Sequence, residues 1–595
     1  MRLHIRCSIF SAALLSALAG VSPACAQNAF ITNTSDNTVS IIDVPSGTVI
    51  GAVPVDSEPQ GVAVAADGTT VYVTNLFGIN QNNQISGTVS VINAAQFPQA
   101  VTATVASPGT FPPGITLSPD GTKAYFTNGL TATPELSVID TATNMVTGSI
   151  AVPGTPGAGV AVSPDGGHVY VPNGTTTGIV TVISIAANGV SASIPVGPNP
   201  EGIAITPNGA KAYVTQENAP GVVTVINLAN NTVSTSIAVG NNPIGVAISP
   251  DGTKAYVANH GDNSVSIINV ATDTIQTTIS VGQGPFGVSF TPDGTAAYVA
   301  NKTDNTVSVI DVASTTVAST IAVGQAPGAL GTNFIGKAQP PSVLLSSVLP
   351  GGRSVQVGAN PTAFATVLNT GSSALNNCRI LLPTSAPAGM TMSYATTNPA
   401  TNAVTSADDP MVTIPANGSQ SFVIAFEDTS PALDPSQPLL FVCDGTTYAP
   451  IVVGLNTIDL QFSSTPIADV IALAATASNN GIVEVPLSMQ GAGAFAVASD
   501  NIGESDTITV TADTGAATLP LDITLCQTSS NGQCLAPPAP SVTLNYTTNL
   551  TPTFSVFITA SANVPFAPAT SRIFVRFLDG AGVSHGSTSV AVETN

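Results

Sequence analysis

The chain has no tryptophan, and of its 595 residues only 11 are Lys or Arg against 33 Asp or Glu, a formal net charge of −22. A surface so poor in cations repels phosphate backbones, because nucleic-acid binding draws on clustered Lys and Arg to release counterions. DNA and RNA are therefore excluded as partners. Histidine is scarcer still, at four. C-x-x-C-H, H-E-x-x-H, a phosphate loop with its Lys and a D-x-D-x-D-G calcium loop are all missing, so neither a metal nor a cofactor is expected. One G-x-S-x-G string occurs, Gly582 to Gly586, but only nine residues follow it and none is His. A nucleophile elbow needs a strand-turn-helix with a downstream acid and His, so the string reads as a chance match. Beyond residue 26 no uninterrupted apolar run reaches membrane length, and no transmembrane segment is expected.

What the chain does have is Ala, Thr, Ser, Val and Gly, a composition suited to β-structure built from small residues. Its length calls for two to four domains. The opening "MRLHIR", the apolar "SIFSAALLSALAG" and "ACA" before Gln27 read as a signal peptide over residues 1–26. Lipid attachment at Cys25 is the alternative, although Ser22 stands where a lipobox has Leu. Either way the protein is expected to be exported: periplasmic, secreted or bound to the cell surface. Four cysteines then remain, Cys378, Cys443, Cys526 and Cys534. In an oxidising compartment they allow three pairings. Pairing them in order, Cys378–Cys443 and Cys526–Cys534, keeps each bridge inside one domain.

The first half of the chain is repetitive. Aligned on one strand motif, "AFITN" ends at Asn33, "VYVTN" at Asn75, "AYFTN" at Asn128, "VYVPN" at Asn173, "AYVTQ" at Gln216, and "AYVAN" at Asn259 and Asn301, in steps of 42, 53, 45, 43, 43 and 42 residues. A period near forty with this much strand-like sequence signals a toroidal or solenoid array. Each unit reads as four short antiparallel strands, which is one propeller blade. Ser-Pro-Asp-Gly, as at Ser249 to Gly252, sets a tight hairpin through the proline φ and the glycine's access to positive φ. The repeated Asn is read as a structural cap on the turn that follows. Pro-x-Gly, as in Pro243-Ile244-Gly245, marks crowding of the innermost strands about the axis. The array opens on a second strand and ends on "APGALGTNFIG", so residues 326–335 are expected to pair with Ala29 to Asn33 and close the ring.

These units resemble the YVTN family of β-propeller repeats, found in bacterial surface-layer and periplasmic propeller proteins. The resemblance covers roughly residues 28–338 and implies a seven-bladed, WD40-like ring in an exported protein. It brings no agreed catalytic residues. After "GKAQPPS" the pattern changes: residues 340–455, with "ATVLNTGSSALNNCRI", are similar to immunoglobulin-like modules, and residues 456–595 read as a second β-sandwich. The expected fold is all-β, a seven-bladed propeller followed by two sandwiches.

Candidate site residues lie on the propeller loops. The residues before each inner strand, Gln60, Pro113, Ala158, Glu201, Ile244 and Phe286, surround the channel mouth, and His260 follows a "YVAN" strand. The second unit carries two insertions on the same face, Leu76 to Gly87 and Ala106 to Gly114. There Phe77, Ile79 and Phe111 offer apolar anchors, while Asn82 and Asn83 offer amides, a mixture suited to a protein or glycan partner. Exchanging Leu76 to Gly87 for the "HGDN" of the sixth unit is expected to spare the fold, since no strand is touched. No carboxylate pair or metal cage converges at the mouth. The expected function is non-enzymatic binding or scaffolding at the cell surface, and the alternative is a periplasmic propeller enzyme, a lactonase-type hydrolase or a reductase.

Overall fold

A computed structural model describes residues 27–594, apart from 80–84, 96–98, 110, 130–133, 175–176, 338–342, 384–385, 388, 399–400, 402, 445–447, 479, 488–491, 516, 566 and 568–569. Residues 1–26, where the signal peptide was expected, lie outside the described residues, as do Asn82 and Asn83. The described residues form an all-β protein, a seven-bladed propeller followed by two β-sandwiches. Gln27–Gln339 make one compact unit and Pro340–Asn595 another.

Blade 5 shows the plan: Pro200–Ile205, Lys211–Gln216, Val222–Asn227 and Thr232–Ala238 hydrogen-bond in chain order as an antiparallel sheet. Its two faces pack on different neighbours. Ala212, Val214 and Ile226 join Val180 and Val182 of blade 4, whereas Tyr213, Val223 and Val225 join Ala255 and Val257 of blade 6. Alternate residues of the inner three strands therefore enter alternate interfaces, and only the outermost strand reaches water. This is why the strands need apolar residues at successive positions and the ring carries so little charge.

Some of the recurring residues act within a blade and others between blades. Gly252, at φ +70°, closes its turn by donating its N–H to Ser249 O at 2.8 Å. The repeated Asn is structural, but it does not cap the turn as expected. Nδ2 of fully buried Asn259 donates to Ser264 Oγ (3.0 Å) and Ser266 Oγ (2.9 Å), tying the second strand to the third. Asn33, Asn75 and Asn301 do the same. The glycine that ends each "VG" makes room for this side chain on the next blade. A Cβ on Gly240 would lie 2.6 Å from Asn259 Cγ, and one on Gly282 2.6 Å from Asn301 Cγ.

Pro-x-Gly sits inside the inner strand, where the register slips between Pro200 and Ile203, Pro243 and Val246, and Pro285 and Val288. Such a bulge re-aims the residue x. Its carbonyl is pressed against the glycine of the preceding blade: a Cβ on Gly202, Gly245 or Gly287 would lie 2.3, 2.3 or 2.0 Å from the carbonyl oxygen of Ile244, Phe286 or Ala329. The crowding is backbone against side chain, which only glycine relieves.

The last propeller segment closes the ring along Asn28–Asn33. Phe30 N–H donates to Phe334 O (2.9 Å), Gly328 N–H to Thr32 O (2.8 Å) and Thr34 N–H to Ala326 O (3.1 Å). Leu330–Asn333 also pairs in parallel with the inner strand of blade 2. Both edges of the array are thereby covered.

In the C-terminal unit, the first sandwich packs a core that includes Tyr394, Phe422 and Phe441, and the second one that includes Tyr546, Phe554 and Phe577. Disulfides join Cys378 to Cys443 and Cys526 to Cys534. Ser584 and His585 lie in the final strand, Ser584–Thr594, so the G-x-S-x-G string forms no elbow. His585 is buried between Ala468 O (2.9 Å) and Asp579 Oδ2 (3.2 Å).

Candidate functional site

The bulges bring the x residues together at one end of the propeller axis. Ala158, Ile244 and Leu330 are buried in a single apolar cluster, against which Phe286 packs. Glu201 joins it through Oε2, which accepts the Ala158 N–H at 3.1 Å. Burial pushes this carboxyl up to about 7 from an ordinary 4.5; the Ala158 hydrogen bond opposes the shift and the nearby Glu217 carboxylate adds to it. Desolvation prevails because one backbone donor cannot replace the water removed from a carboxylate. The carboxyl is therefore poised to exchange a proton near neutrality, as a general base requires.

Two further side chains meet Phe286. The His260 ring stands edge-on to it at 5.8 Å between centroids, and Lys302 Nζ lies over its face, 4.2 Å from the centroid. Nδ1 of His260 is enclosed without a hydrogen-bond partner. Burial lowers the Lys302 pKa, and the Glu58 carboxylate opposes that change. The axial end thus gathers a proton-exchanging acid, an imidazole and a cation around an apolar floor. Among the described residues no group of three or more His, Cys, Asp or Glu could hold a metal ion.

Of the residues expected from sequence, Glu201, His260 and Phe286 fall at this end. Lys302 and Glu217 escaped notice, yet a signal existed. Glu217, His260 and Lys302 each directly follow the last residue of the "YV-N" strand in three successive copies. Aligned down the repeats, that position is variable and bears chemistry.

The second unit, which bears both insertions, behaves differently from its expectation. Its strands run on through the insertion, as Thr70–Ile79 and Ile85–Asn93, so the exchange proposed for Leu76 to Gly87 would cut paired strands. Leu76 is buried, and Ser86 Oγ donates to Ser107 O at 2.9 Å. Phe111 holds φ +65° while its N–H donates to Leu76 O at 3.2 Å. The two insertions brace each other, and Phe77 and Phe111 are half-buried in that brace. Of Ile79 only the backbone, in its strand, is described.

Residues 229–328 match the sequence family described as "Lactonase, 7-bladed beta-propeller". Among solved structures, the chain is similar to hydrazine synthase of Kuenenia stuttgartiensis at 26% identity, 48% of this chain covering 92% of that one with TM-score 0.43. It is similar to the periplasmic gluconolactonase of Pseudomonas aeruginosa at 20% identity, 51% covering 97%, TM-score 0.44. It is also similar to a functionally unknown protein of Desulfotomaculum acetoxidans at 17% identity, 53% covering 99%, TM-score 0.45. No curated protein sequence matches the chain.

Proposed function

We propose that the protein is an exported hydrolase of lactones, with its chemistry at the axial end of the propeller and Glu201 as general base. The observation that carries this reading is the Glu201 carboxyl, held near a pKa of about 7 on the rim of an apolar floor. The lactonase-propeller match supports the site's other members, since residues 229–328 include Ile244, His260, Phe286 and Lys302, while Glu201 lies outside the matched stretch. In the reaction, Glu201 takes a proton from water as its oxygen bonds to the ring carbonyl carbon. Collapse of the tetrahedral intermediate breaks the ring C–O bond, and the proton returns to the leaving alkoxide, giving a hydroxy acid. The Lys302 ammonium and the His260 ring on the same rim supply positive charge and a hydrogen bond for the developing oxyanion.

This reading takes precedence over recognition of a protein or glycan by the propeller face, because the insertions chosen for that role are engaged with each other. Two disulfides support export, with a signal peptide over residues 1–26. YVTN-type repeats and an immunoglobulin-like first sandwich belong to the same proposal. The test is a panel of γ- and δ-lactones followed by proton release. Hydrolysis should rise with pH through about 7 and fall at least 100-fold in Glu201→Gln. Equal turnover by wild type and Glu201→Gln, or none above background across the panel, would refute it.

A further inference from the structure

Within the C-terminal unit the two sandwiches are clamped together. In the first sandwich Gly352–Gln356 pairs in parallel with Thr457–Ser463, whose Ile458, Leu460 and Phe462 enter that sandwich's own core. Buried Arg353 grips Asp469, which precedes the first strand of the second sandwich, through Nε (3.1 and 3.2 Å) and Nη2 (2.8 Å). In the last strand, Ser589 Oγ donates to Gly454 O at 2.6 Å. Beside this clamp the two sandwiches enclose a cleft of about 600 Å³. Its size is that of a small-molecule site.

One wall is the outward face of a sheet in the second sandwich. Residues 493–501 alternate strictly, with Phe495 and Val497 in the core and Ala496 and Ala498 outward. Leu473 and Ala475 of the paired strand share that outward side. A sheet face that met only water would carry polar side chains at these positions. This one carries alanine and leucine on two strands, with Ser555 and Thr553 beside them on the third, and it faces the cleft.

Ser347, Thr476, Arg572 and Thr588 are the buried polar residues of the lining, and two of them matter here. Arg572, 6% exposed, donates from Nε (3.3 Å) and Nη2 (2.7 Å) to Ser589 Oγ. It stays cationic at neutral pH, since burial lowers its pKa only to about 10. Ser347, 2% exposed, lies on the opposite wall, on the side of its strand turned away from the core contacts of Leu344 and Val348. Its Oγ is enclosed and has no hydrogen-bond partner. Enclosed hydroxyls are seldom left so, because the lost hydration is not repaid. A ligand oxygen in the cleft would repay it.

We propose that this cleft binds a free aliphatic carboxylate, its chain against Leu473, Ala475, Ala496 and Ala498 and its head at Arg572 and the Ser347 hydroxyl. The planar guanidinium suits a carboxylate, and the small aliphatic wall, without aromatic side chains facing it, suits a flexible hydrocarbon chain. The proposal is independent of the propeller chemistry.

The test is calorimetric titration of the full chain with sodium decanoate, kept below its micelle-forming concentration, with decan-1-ol as the uncharged companion. Wild type should bind one decanoate saturably, and decanol at least tenfold more weakly. Arg572→Gln should weaken decanoate at least tenfold and leave decanol within twofold. Because a buried arginine can be needed for folding, Ser347→Ala reads the head contact separately, with a several-fold loss for decanoate alone. Ala498→Phe, at an exposed position, should fill the cleft and weaken both probes. Lack of saturation in the wild type would overturn the proposal. So would undiminished decanoate binding in Ala498→Phe, or decanol binding as tightly as decanoate.

Discussion

Replacing Glu201 by Gln tests the physical state of the axial carboxyl without reference to any substrate. In the unfolded chain this group ionises near its ordinary 4.5, and in the folded propeller near 7. Between those values the unfolded state has lost a proton that the folded state keeps. Stability must therefore fall as pH rises through the window and level off above about 7. At about 1.4 kcal/mol per unit, a shift of roughly 2.5 units makes the loss about 3 kcal/mol. That is an upper bound, since the carboxyl is only partly enclosed and water screens it. Gln keeps an acceptor for the Ala158 N–H but cannot ionise, so the variant escapes the loss. Calorimetric unfolding of the full chain at several pH values reads this directly, with the transition of the sandwiches as internal reference. At pH 4.5 variant and wild type should unfold together. At pH 8 the variant's propeller transition should lie up to roughly 5 °C higher, taking about 2 cal/mol/K of unfolding entropy per residue. Propeller transitions that move in parallel from pH 4.5 to 8 would refute the reasoning.

Two other substitutions test the packing. Gly245→Ala sets a methyl 2.3 Å from Phe286 O and should cost about 1–3 kcal/mol, whereas Gly148→Ala, with nothing within 4 Å, should be neutral or stabilise by about 0.5–1 kcal/mol in the same urea titrations; equal effects would discount axial crowding. Asp469→Ala strands the buried Arg353 and should cost about 3–5 kcal/mol, splitting the sandwich transition in two; one unchanged transition would show that this ion pair does not couple the sandwiches.

Much of the propeller was legible in its sequence because its determinants are local and repeated. The Ser-Pro-Asp-Gly turn, the strand lengths and the forty-residue period each act within a few residues, and seven copies make each signal hard to miss. Closure of the ring was legible for a related reason: an array that starts on a second strand leaves one inner strand to be supplied by its end. The disulfides followed from chain order, since each links cysteines within one sandwich.

What the sequence did not disclose lies between copies. The Asn that was read as a turn cap instead bonds the third strand of its own blade, and the glycine that accommodates it comes from the blade before. The described ends of the insertion read as a surface loop are strand, Gly78 pairing with Ser86 and Ile79 with Ile85, and the segment from Ala106 to Gly114 braces them. Glu201 is an ordinary glutamate by sequence. It becomes a candidate base because a bulge turns it toward Ala158, 43 residues earlier in the chain, where burial disfavours its charge. Lys302, His260 and Phe286 likewise meet only because two adjacent blades converge on the axis. Local turn chemistry and strand periodicity determined that blades form and in what order. Only tertiary packing decided which side chains lose water and face one another, because desolvation depends on neighbours that the linear order leaves apart.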